Sequence, residues 1–523
     1  MITKRSGRKK VILVKPHYAH KWDYRDRDPD VQVPTGLLYV GTTLKANGYD
    51  VKIIDATADK DYKRTAVANL DGAVYVGITA MTAQLASAID IAGEIRKADP
   101  EVPLVWGGNH PSLYPEQTCL DELCDIAVIG EGDMTAVELA GALEADGDPR
   151  GVKGICFRRG GEVVTTGGRG LVDVEALPEP DYGLLGDVEK YIWGYFPAYS
   201  DKPYRFLPVH AGRGCFYRCS FCMENVEKKH RSRTARQIAD QIKRLMEKYR
   251  IEAITTIDSD FYADKKRVKE FVDIVINERI GIKWMGNSRA NYFRDDYIDR
   301  EFAEKLEISG CFRAGLGVET GSTRILEYIR KDITHDQVRR AVDVLNTTGI
   351  IVACSFMIGI PGETKDDMVA TFRFIRELYK KAKKIYIIGP AEYRPYPGCD
   401  LFEEATKQGL LVPDSLRGWG EAMNSFWGYL GSERFPWVED HRFIKYATTV
   451  IPFLYTTNCV PKRRAVWPLY LIVRAIVEVR VRFDLWGILF EDRLILKAAS
   501  IWQAAKPVPG KIKEIIWKRP FCR

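Results

Sequence analysis

The chain has 523 residues, of which 46% are hydrophobic and 28% are charged. These proportions are ordinary for a folded protein and exclude disorder, collagen and coiled coil as the main architecture. A chain of this length has room for about three domains. Lys and Arg number 78 against 71 Asp and Glu, and this surplus is too small to indicate nucleic acid as a partner. It is concentrated in the tail, where residues 461–523 contain 14 Lys and Arg but 5 Asp and Glu.

The N-terminal stretch shows no secretory signal, because the apolar run at residues 11–14 is too short for one. No uncharged apolar stretch reaches the ~18 residues that a membrane span requires. In such a chain the 11 cysteines are expected to be reduced thiols or metal ligands. We therefore expect a cytoplasmic protein.

Residues 10–150 alternate β-rich runs with helical patterns. The predicted buried parallel strands are 10–14, 51–55, 73–78, 103–106 and 125–129, and the predicted helices are 36–47, 83–98 and 135–144. This alternation predicts a doubly wound, flavodoxin-like α/β domain with its ligand beyond the carboxyl ends of the strands.

Glycine and polar residues follow three of these strands. The candidate binding residues at this edge are Thr79, Thr82, Gly107, Gly108, Gly130, Glu131 and Gly132. Each glycine pair alone is explained by a tight turn, but several at one edge favour a ligand site. The chain has no GxxxxGK[ST] motif and no GxGxxG after the first strand, which argues against the common nucleotide-binding domains.

Three cysteines give the strongest signal in the sequence. Cys215, Cys219 and Cys222 have CxxxCxxC spacing on a glycine-opened loop. Thiolates are the normal ligands of iron–sulfur clusters, and three of them leave one iron of a [4Fe–4S] cluster open. Zinc would need a fourth ligand; the nearest candidate, His230, lies in a basic run where a solvated side chain is expected. The spacing therefore predicts a [4Fe–4S] cluster.

The CxxxCxxC spacing, with Phe221 directly before the last cysteine, resembles the radical S-adenosylmethionine (SAM) superfamily. The preceding domain resembles the cobalamin-binding domain of the B12-dependent class, which includes methylases and relatives of magnesium-protoporphyrin ester cyclase. The resemblance covers about residues 10–410 and is carried in this domain by Thr79, Met81, Thr82, Gln84, Trp106, Gly107, Gly108, His110, Pro111, Ile129, Gly130, Glu131 and Gly132.

The resemblance implies three cofactors: a [4Fe–4S] cluster held by the three cysteines, SAM at the open iron, and cobalamin. It implies that Phe221 lies beside the adenine of SAM and that Glu319 contacts SAM. Arg289 either meets the SAM carboxylate or forms a structural ion pair. Many members have a Gly-Gly-Glu stretch that contacts the methionine amino group of SAM. Asp258-Ser259-Asp260 takes its place here, which leaves open which residues contact that amino group. No DxHxxG motif occurs, and we do not expect His110 to bind cobalt.

Residues 201–410 have the alternation of a partial (β/α)6 barrel, in which the strand ends carry the chemistry. The predicted strands are 206–211, 253–257, 283–287, 311–318, 352–358 and 384–388. The predicted helices are 234–249, 266–276, 336–347 and 365–379. The predicted divisions are a cobalamin-binding domain at 1–150, a linker at 151–200, the radical SAM barrel at 201–410 and a mainly helical C-terminal region at 411–523.

The tail is predicted to form helical segments at 467–482, 483–490 and 494–502, with basic residues between their apolar positions. Tryptophans are spaced among them at Trp467, Trp486, Trp502 and Trp517. Two alternatives follow: a helical cap on the barrel, or amphipathic helices in a membrane interface at the inner face of the membrane.

The resemblance implies a B12-dependent radical SAM enzyme that moves a methyl group from SAM, through methylcobalamin, to an unactivated carbon of a small-molecule substrate. The tail raises the hypothesis of a lipid-like substrate. The alternative chemistry is cyclisation, ring contraction or oxidation without methyl transfer. A non-catalytic cobalamin or redox sensor is a further alternative, but it does not explain the barrel strand ends. The electron donor is expected to be a flavodoxin or a ferredoxin, and no nucleic acid partner is expected.

Overall fold

The structure is a computed structural model that describes residues 7–18, 31–145, 148–195, 203–223, 229–423, 435–456 and 467–504. It contains two compact units. The first comprises Met1–Trp193 with Leu411–Leu430, and the second comprises Gly194–Leu410 with Gly431–Arg523. Trp517 lies outside the described residues, as do the side chains of Trp467 and Trp502.

The first unit is built on one sheet with the strand order β2-β1-β3-β4-β5-β6-β7. Its strands are β1 (Lys10–Lys15), β2 (Asp50–Asp55), β3 (Ala73–Thr79), β4 (Leu104–Gly107), β5 (Ile126–Val128), β6 (Ile155–Arg159) and β7 (Glu162–Thr165). The first five are parallel, and their apolar runs are buried, as both faces of a parallel sheet require. The predicted doubly wound arrangement is confirmed.

Helices cover the sheet of the first unit. They are α1 (Thr35–Ala46), α2 (Tyr62–Ala68), α3 (Leu85–Ala98), α4 (Asn109–Leu113), α5 (Pro115–Leu120), α6 (Asp133–Ala145) and, from much later in the chain, α14 (Leu416–Ala422). Helix α14 packs closely on α3, since a Cβ added to Gly420 would lie 2.9 Å from Ile89 Cδ1.

Residues 151–193, where we expected a linker, belong to the first unit. Strand β6 pairs antiparallel with β5 and with β7, so these residues extend the sheet. The β6–β7 turn contains Gly160 and Gly161, both at positive φ, which is the usual signal of a tight hairpin. Residues 411–430, which we expected in the C-terminal region, also lie in the first unit.

The second unit contains a sheet with the order β16-β15-β14-β13-β12-β9-β8. Its strands are β8 (Trp193–Tyr195), β9 (Tyr204–Val209), β12 (Ala253–Thr256), β13 (Lys283–Ser288), β14 (Cys311–Glu319), β15 (Ile351–Ile358) and β16 (Ile385–Glu392). Six strands of this sheet, β9, β12, β13, β14, β15 and β16, pair in parallel, which confirms the partial barrel. A small antiparallel ladder joins β10 (Gly212–Arg213) to β11 (Arg231–Ser232).

Helices alternate with the barrel strands. They are α7 (Ala235–Tyr249), α8 (Lys265–Asn277), α9 (Arg300–Ile308), α10 (Thr323–Tyr328), α11 (His335–Leu345) and α12 (Lys365–Lys381). Three of them begin with a capping box, in which a threonine hydroxyl accepts from the N3 backbone and the N3 side chain bonds back. These caps fix where each helix begins, and so where each strand-end loop stops.

The remaining helices of the second unit are α13 (Asp400–Lys407), α15 (His441–Tyr455), α16 (Trp467–Phe483) and α17 (Glu491–Ala504). The helix predicted at 483–490 is wrong, because residues 484–490 form a non-helical link between α16, which ends at Phe483, and α17. Trp486 is the buried residue of this link, and its ring centroid lies 5.6 Å from those of both Phe372 and Phe443. Within the described ranges, no helix is both long and apolar enough to cross a membrane.

Candidate active site and cofactor-binding edges

The cysteine loop follows β10 in the second unit. Its three thiols belong to Cys215, Cys219 and Cys222. The loop is fixed from two sides, because the Ser220 amide donates to the Ile329 carbonyl at 2.9 Å and the Leu401 amide donates to the Ser220 carbonyl at 2.9 Å. Gly214 adopts φ +77°, which turns the chain from β10 into the loop.

The donor set of this loop fits a polynuclear cluster. Cys219 is buried, whereas Cys215 and Cys222 are half-buried. Burial raises the pKa of the Cys215 thiol, so a bound metal would have to supply the charge that stabilises its thiolate. His230 is not solvated as expected; its ring is half-buried, 5.5 Å from the Phe216 ring. In the described part of the chain, no three His, Cys, Asp or Glu side chains are grouped around one metal-ion position.

Arg289, at the end of β13, lies against the cysteine loop. Its Nη1 donates to Cys219 Sγ at 3.5 Å, and its guanidinium carbon lies 3.4 Å from the centre of the Tyr217 ring. Nη2 donates to the Lys331 carbonyl. The Nε atom is buried and has no hydrogen-bond partner among the described residues. Arg289 therefore places positive charge beside a cluster ligand and keeps one N–H available for a polar ligand.

Glu319 ends β14 and is joined to the same loop through a lysine. Lys331 Nζ donates to Glu319 Oε1 at 2.8 Å and lies 5.6 Å from the centre of the Phe221 ring. Both members of the ion pair are buried, at 7% and 12% side-chain exposure. Gly317 leaves room for the pair, since an added Cβ would collide with the Glu319 carboxylate and lie 2.6 Å from Lys331 Nζ. The predicted residues Phe221 and Glu319 thus lie on either side of Lys331.

Asp258 and Asp260 follow β12 and are almost completely buried. Asp258 Oδ1 accepts from the Ala211 amide at 2.8 Å, and Asp260 Oδ2 accepts from the Tyr292 hydroxyl at 2.6 Å. The second oxygen of each carboxylate has no hydrogen-bond partner among the described residues, although Asp258 Oδ2 lies 3.8 Å from Arg267 Nη1. Burial raises the pKa of Asp260 to about 6 despite the Tyr292 hydrogen bond. These unsatisfied oxygens fit a polar, positively charged ligand group such as the amino group of SAM.

A second set of predicted residues lies at the strand edge of the first unit. Gly108 has φ +95°, and a Cβ added there would lie 2.9 Å from Thr79 Oγ1. The Ala80 amide donates to the Gly107 carbonyl at 2.8 Å. The ends of β3 and β4 therefore meet at one position, where a side chain at residue 108 would not fit.

Thr82 contacts His110 in the first unit. Its hydroxyl lies 3.2 Å from His110 Nδ1, and the imidazole packs against Tyr114 and Trp419 with ring centroids 5.2 and 5.5 Å away. The His110 ring is fully buried, and burial lowers its pKa to about 3, so it is neutral. In this packing the imidazole lies between two aromatic rings, and its buried Nε2 has no hydrogen-bond partner among the described residues.

The turn after β5 holds Gly130, Glu131 and Gly132. Gly130 has φ +77° with no atom within 4 Å of an added Cβ, and its amide donates to Ser112 Oγ at 2.9 Å. Glu131 Oε2 accepts from the Val172 amide at 2.8 Å, so this carboxylate ties down the following segment. The open glycine turn, together with the Thr79–Gly108 contact, fits the close approach of a large ligand to the backbone.

Sequence reasoning missed two residues that contact the predicted site residues, Lys331 and Tyr217. Lys331 joins Glu319 to Phe221, yet no motif or spacing marks it, since it follows α10 at a distance from both partners. Tyr217 lies inside the cysteine motif and was available as a signal. Its hydroxyl accepts from Asn291 Nδ2 at 2.8 Å, while its ring carries Arg289.

Two family profiles match the chain. The Radical SAM superfamily matches residues 209–375, and the B12 binding domain matches residues 28–140. An uncharacterized methyltransferase of Pyrococcus horikoshii is 31% identical over 391 residues, covering 73% of this chain and 81% of that protein. The anaerobic magnesium-protoporphyrin IX monomethyl ester cyclase of Rubrivivax gelatinosus is 27% identical, covering 71% and 66% of the two chains.

Solved structures share the fold. The cobalamin-dependent SAM radical enzyme OxsB superimposes with a TM-score of 0.67 at 16% identity, over 95% of this chain and 76% of that one. The radical SAM methyltransferase TsrM from Kitasatospora setae superimposes with a TM-score of 0.62 at 20% identity, over 76% of both chains. The chain belongs to the cobalamin-dependent radical SAM family, whose cofactors are a [4Fe–4S] cluster, SAM and cobalamin.

Proposed function

We propose that this protein is a cobalamin-dependent radical SAM C-methyltransferase acting on an unactivated carbon of a small-molecule substrate. The observation that carries the proposal is that one chain holds both a three-cysteine loop surrounded by buried polar groups and a glycine-rich strand edge of the B12-binding type. The likeness to a methyltransferase over 81% of that relative's length supports methyl transfer as the outcome.

The cofactors, when bound, supply a carbon-centred radical from one SAM and a transferable methyl group from another. Cys215, Cys219 and Cys222 would hold the cluster. Arg289 donates to a ligand sulfur, and hydrogen bonds to sulfur are one of the means by which a protein sets a cluster's reduction potential. The positive charge of its guanidinium also favours an additional electron on the cluster.

The polar groups around the loop would orient SAM. The Lys331–Glu319 pair lies beside Phe221, where it can fix polar groups of the nucleoside while the ring packs against the adenine. The unsatisfied oxygens of Asp258 and Asp260 face a cation such as the SAM amino group. Holding the reacting atoms in a fixed geometry is the main contribution a protein makes in this chemistry.

The strand edge of the first unit would hold cobalamin. Thr79, Thr82, Gly107, Gly108 and the 130–132 turn form the proposed contact set, with hydroxyls for polar groups and glycines for close approach. The enclosed His110 ring is consistent with a cobalt that takes no ligand from this histidine.

The proposal is tested by anaerobic turnover of protein reconstituted with iron, sulfide and cobalamin. Reduced protein given SAM and a lysate of the source organism should form 5′-deoxyadenosine and S-adenosylhomocysteine in equal amounts. Cys219→Ala should abolish both products, whereas Cys354→Ala, a matched change at a buried barrel cysteine outside the loop, should retain both.

The main competing chemistry is cyclisation or oxidation, for which the cyclase of Rubrivivax gelatinosus provides a precedent among similar proteins. That chemistry consumes SAM without methyl transfer. Formation of 5′-deoxyadenosine without matching S-adenosylhomocysteine would therefore replace methylation with this alternative. No SAM cleavage by fully loaded, reduced protein in the presence of lysate would leave the non-catalytic sensor as the better account.

We also propose that the C-terminal helices contact a membrane and deliver a lipid-like substrate. Ile472, Val479 and Phe483 follow one another at helical spacing on α16 and are 56%, 48% and 60% exposed. The link after this helix adds Leu485 and Ile488, at 53% and 78%. Exposed large apolar residues in such a row are characteristic of a face that enters a lipid interface.

The charges of this segment support the same orientation. All four acidic residues in the described range 467–504 form ion pairs within the second unit. The pairs are Glu478 with Arg376 and Lys380, Asp484 with Arg373, Glu491 with Arg480, and Asp492 with Arg442. Arg482 and Arg493 are exposed. The exposed apolar row is thus accompanied by unneutralised positive charge, which favours an anionic membrane surface.

Vesicle sedimentation tests the membrane contact. Full-length protein should sediment with phosphatidylglycerol-containing vesicles at low salt and not with phosphatidylcholine vesicles. Ile472→Asp/Phe483→Asp should abolish sedimentation, whereas Ile308→Asp, at a 70% exposed isoleucine on α9, should not. Concentration-dependent dimerisation that the double variant abolishes, without vesicle binding, would assign the face to a second copy of the chain instead.

A further inference from the structure

A surface cavity of about 480 Å³ lies directly beside the cysteine loop. The exposed ring of Phe216, the residue after Cys215, forms one wall, and His230 lies next to it. The opposite wall is the first turns of α8, with Lys265, Lys266 and Lys269. The cavity therefore joins the outer side of the cluster loop to a row of lysines.

The charge of this wall is positive. Asp264 also lines the cavity, but its carboxylate caps α8 by accepting from the Arg267 amide at 3.0 Å. Lys265 lies 3.4 Å from Asp296, so that lysine is partly neutralised. Lys266 is exposed, and Lys269 Nζ lies 5.3 Å from the centre of the Phe302 ring. Two lysines thus remain without an ion-pair partner in the described structure near the loop.

The cysteine loop itself has an inner and an outer side. Tyr217 faces inward, against Arg289. Phe216 is 56% exposed, and Arg218 is exposed as well. An exposed aromatic ring with cationic neighbours is the composition of a protein-binding surface, where an aromatic anchor supplies affinity and the charges select the partner.

We infer that this surface, formed by Phe216, Lys266 and Lys269, docks an acidic one-electron donor protein. The inference rests on the proposed function, because SAM cleavage consumes one electron per event and an external reductant has to supply it. The donor is oxidised by one electron and the cluster is reduced by one electron, with no bond formed or broken in the protein. Redox partners meet through small, transient interfaces, which this open, charged cavity beside Cys215 fits.

The test uses the full-length protein with its cluster reconstituted and a purified acidic flavodoxin in its hydroquinone form as the probe. Stopped-flow appearance of the flavodoxin semiquinone measures electron transfer directly, whether or not SAM is then cleaved. Lys266→Glu/Lys269→Glu should slow this transfer by about tenfold or more at low ionic strength. The effect should shrink at high salt because exposed charges are screened.

The matched control is Lys383→Glu/Lys445→Glu, which reverses two exposed lysines just before β16 and on α15 and changes the net charge equally. This variant should transfer electrons within about twofold of the unmodified protein, since neither lysine lines the cavity and three strands separate β16 from β12, the strand that precedes α8. Equal rates in the two double variants would overturn the inference. Cleavage of SAM driven by dithionite, which needs no docking, should persist in both.

The dithionite arm separates this inference from the proposed function. Loss of dithionite-driven cleavage in Lys266→Glu/Lys269→Glu alone, with unchanged semiquinone kinetics, would assign the lysines to an anionic substrate and overturn docking. Absence of dithionite-driven cleavage in the unmodified protein would count against the proposed function, while the semiquinone kinetics would still decide the docking surface.

Discussion

Replacing Lys331 by methionine should destabilise the second unit much more than removing an exposed ion pair of the same kind. Lys331 Nζ lies 2.8 Å from Glu319 Oε1, and the two side chains are 7% and 12% exposed. Methionine retains most of the volume of the lysine stem but leaves the Glu319 carboxylate charged and poorly solvated. Removing one partner of a buried pair costs about 3–5 kcal/mol in the free energy of unfolding.

The comparison is with Lys305→Met, which removes an exposed pair to Glu301 at 3.6 Å, with side chains 48% and 80% exposed. Exposed helix pairs of this kind contribute about 0.3–0.5 kcal/mol. The assay is urea unfolding of the cofactor-free full chain under reducing conditions, followed by tryptophan fluorescence. Lys331→Met/Glu319→Gln should recover most of the loss, because no uncompensated charge remains. Equal losses in the two single variants, or no recovery in the double variant, would refute this reasoning.

Three further changes have defined outcomes. Gly317→Ala should weaken SAM binding about tenfold in calorimetry of cluster-loaded protein, because the added Cβ would collide with the Glu319 carboxylate; Gly93→Ala, where nothing lies within 4 Å, should not. Burial raises the pKa of Glu363 to about 8, although backbone N–H groups oppose the shift. The folded state therefore binds this proton more tightly, and its contribution to stability is full below about pH 4.5 and lost as the pH rises through 8. Glu363→Gln should reduce the fall of the urea midpoint with pH between about pH 4.5 and 8. Trp486→Ala should cost about 3–5 kcal/mol in unfolding, measured by the same urea assay, whereas a near-neutral result would contradict its place in the core.

Parallel strands such as β1 and β15 were predictable because they are buried on both faces. Such strands read as short continuous apolar runs, and observed bounds such as Lys10–Lys15 and Ile351–Ile358 differ from the predicted ones by a residue. The β6–β7 hairpin was missed since β7 has no buried residue and the buried apolar run of β6 is only three residues long, although Gly160-Gly161 marked the turn. The link at 484–490 was read as helix because its sequence is apolar, although Trp486 is its one buried residue.

The site residues also fall into those that the sequence predicts and those that it does not. The cysteine spacing is local in sequence, so the cluster loop could be placed from the chain alone. Lys331 could not, since its role comes from the approach of Glu319 and Phe221 in space. His110 illustrates the reverse case: it follows a glycine turn at a ligand edge, but Trp419, more than 300 residues later, helps to enclose it.

Transfer of an isotopic label tests the central claim most directly. The reduced, cobalamin-loaded protein is incubated anaerobically with SAM deuterated in its methyl group and a lysate of the source organism, and the small molecules and lipids are compared by mass spectrometry. The account predicts a new product that carries the intact labelled methyl on carbon, formed in step with 5′-deoxyadenosine and S-adenosylhomocysteine. Continued production of 5′-deoxyadenosine with no label transferred to any product would contradict it.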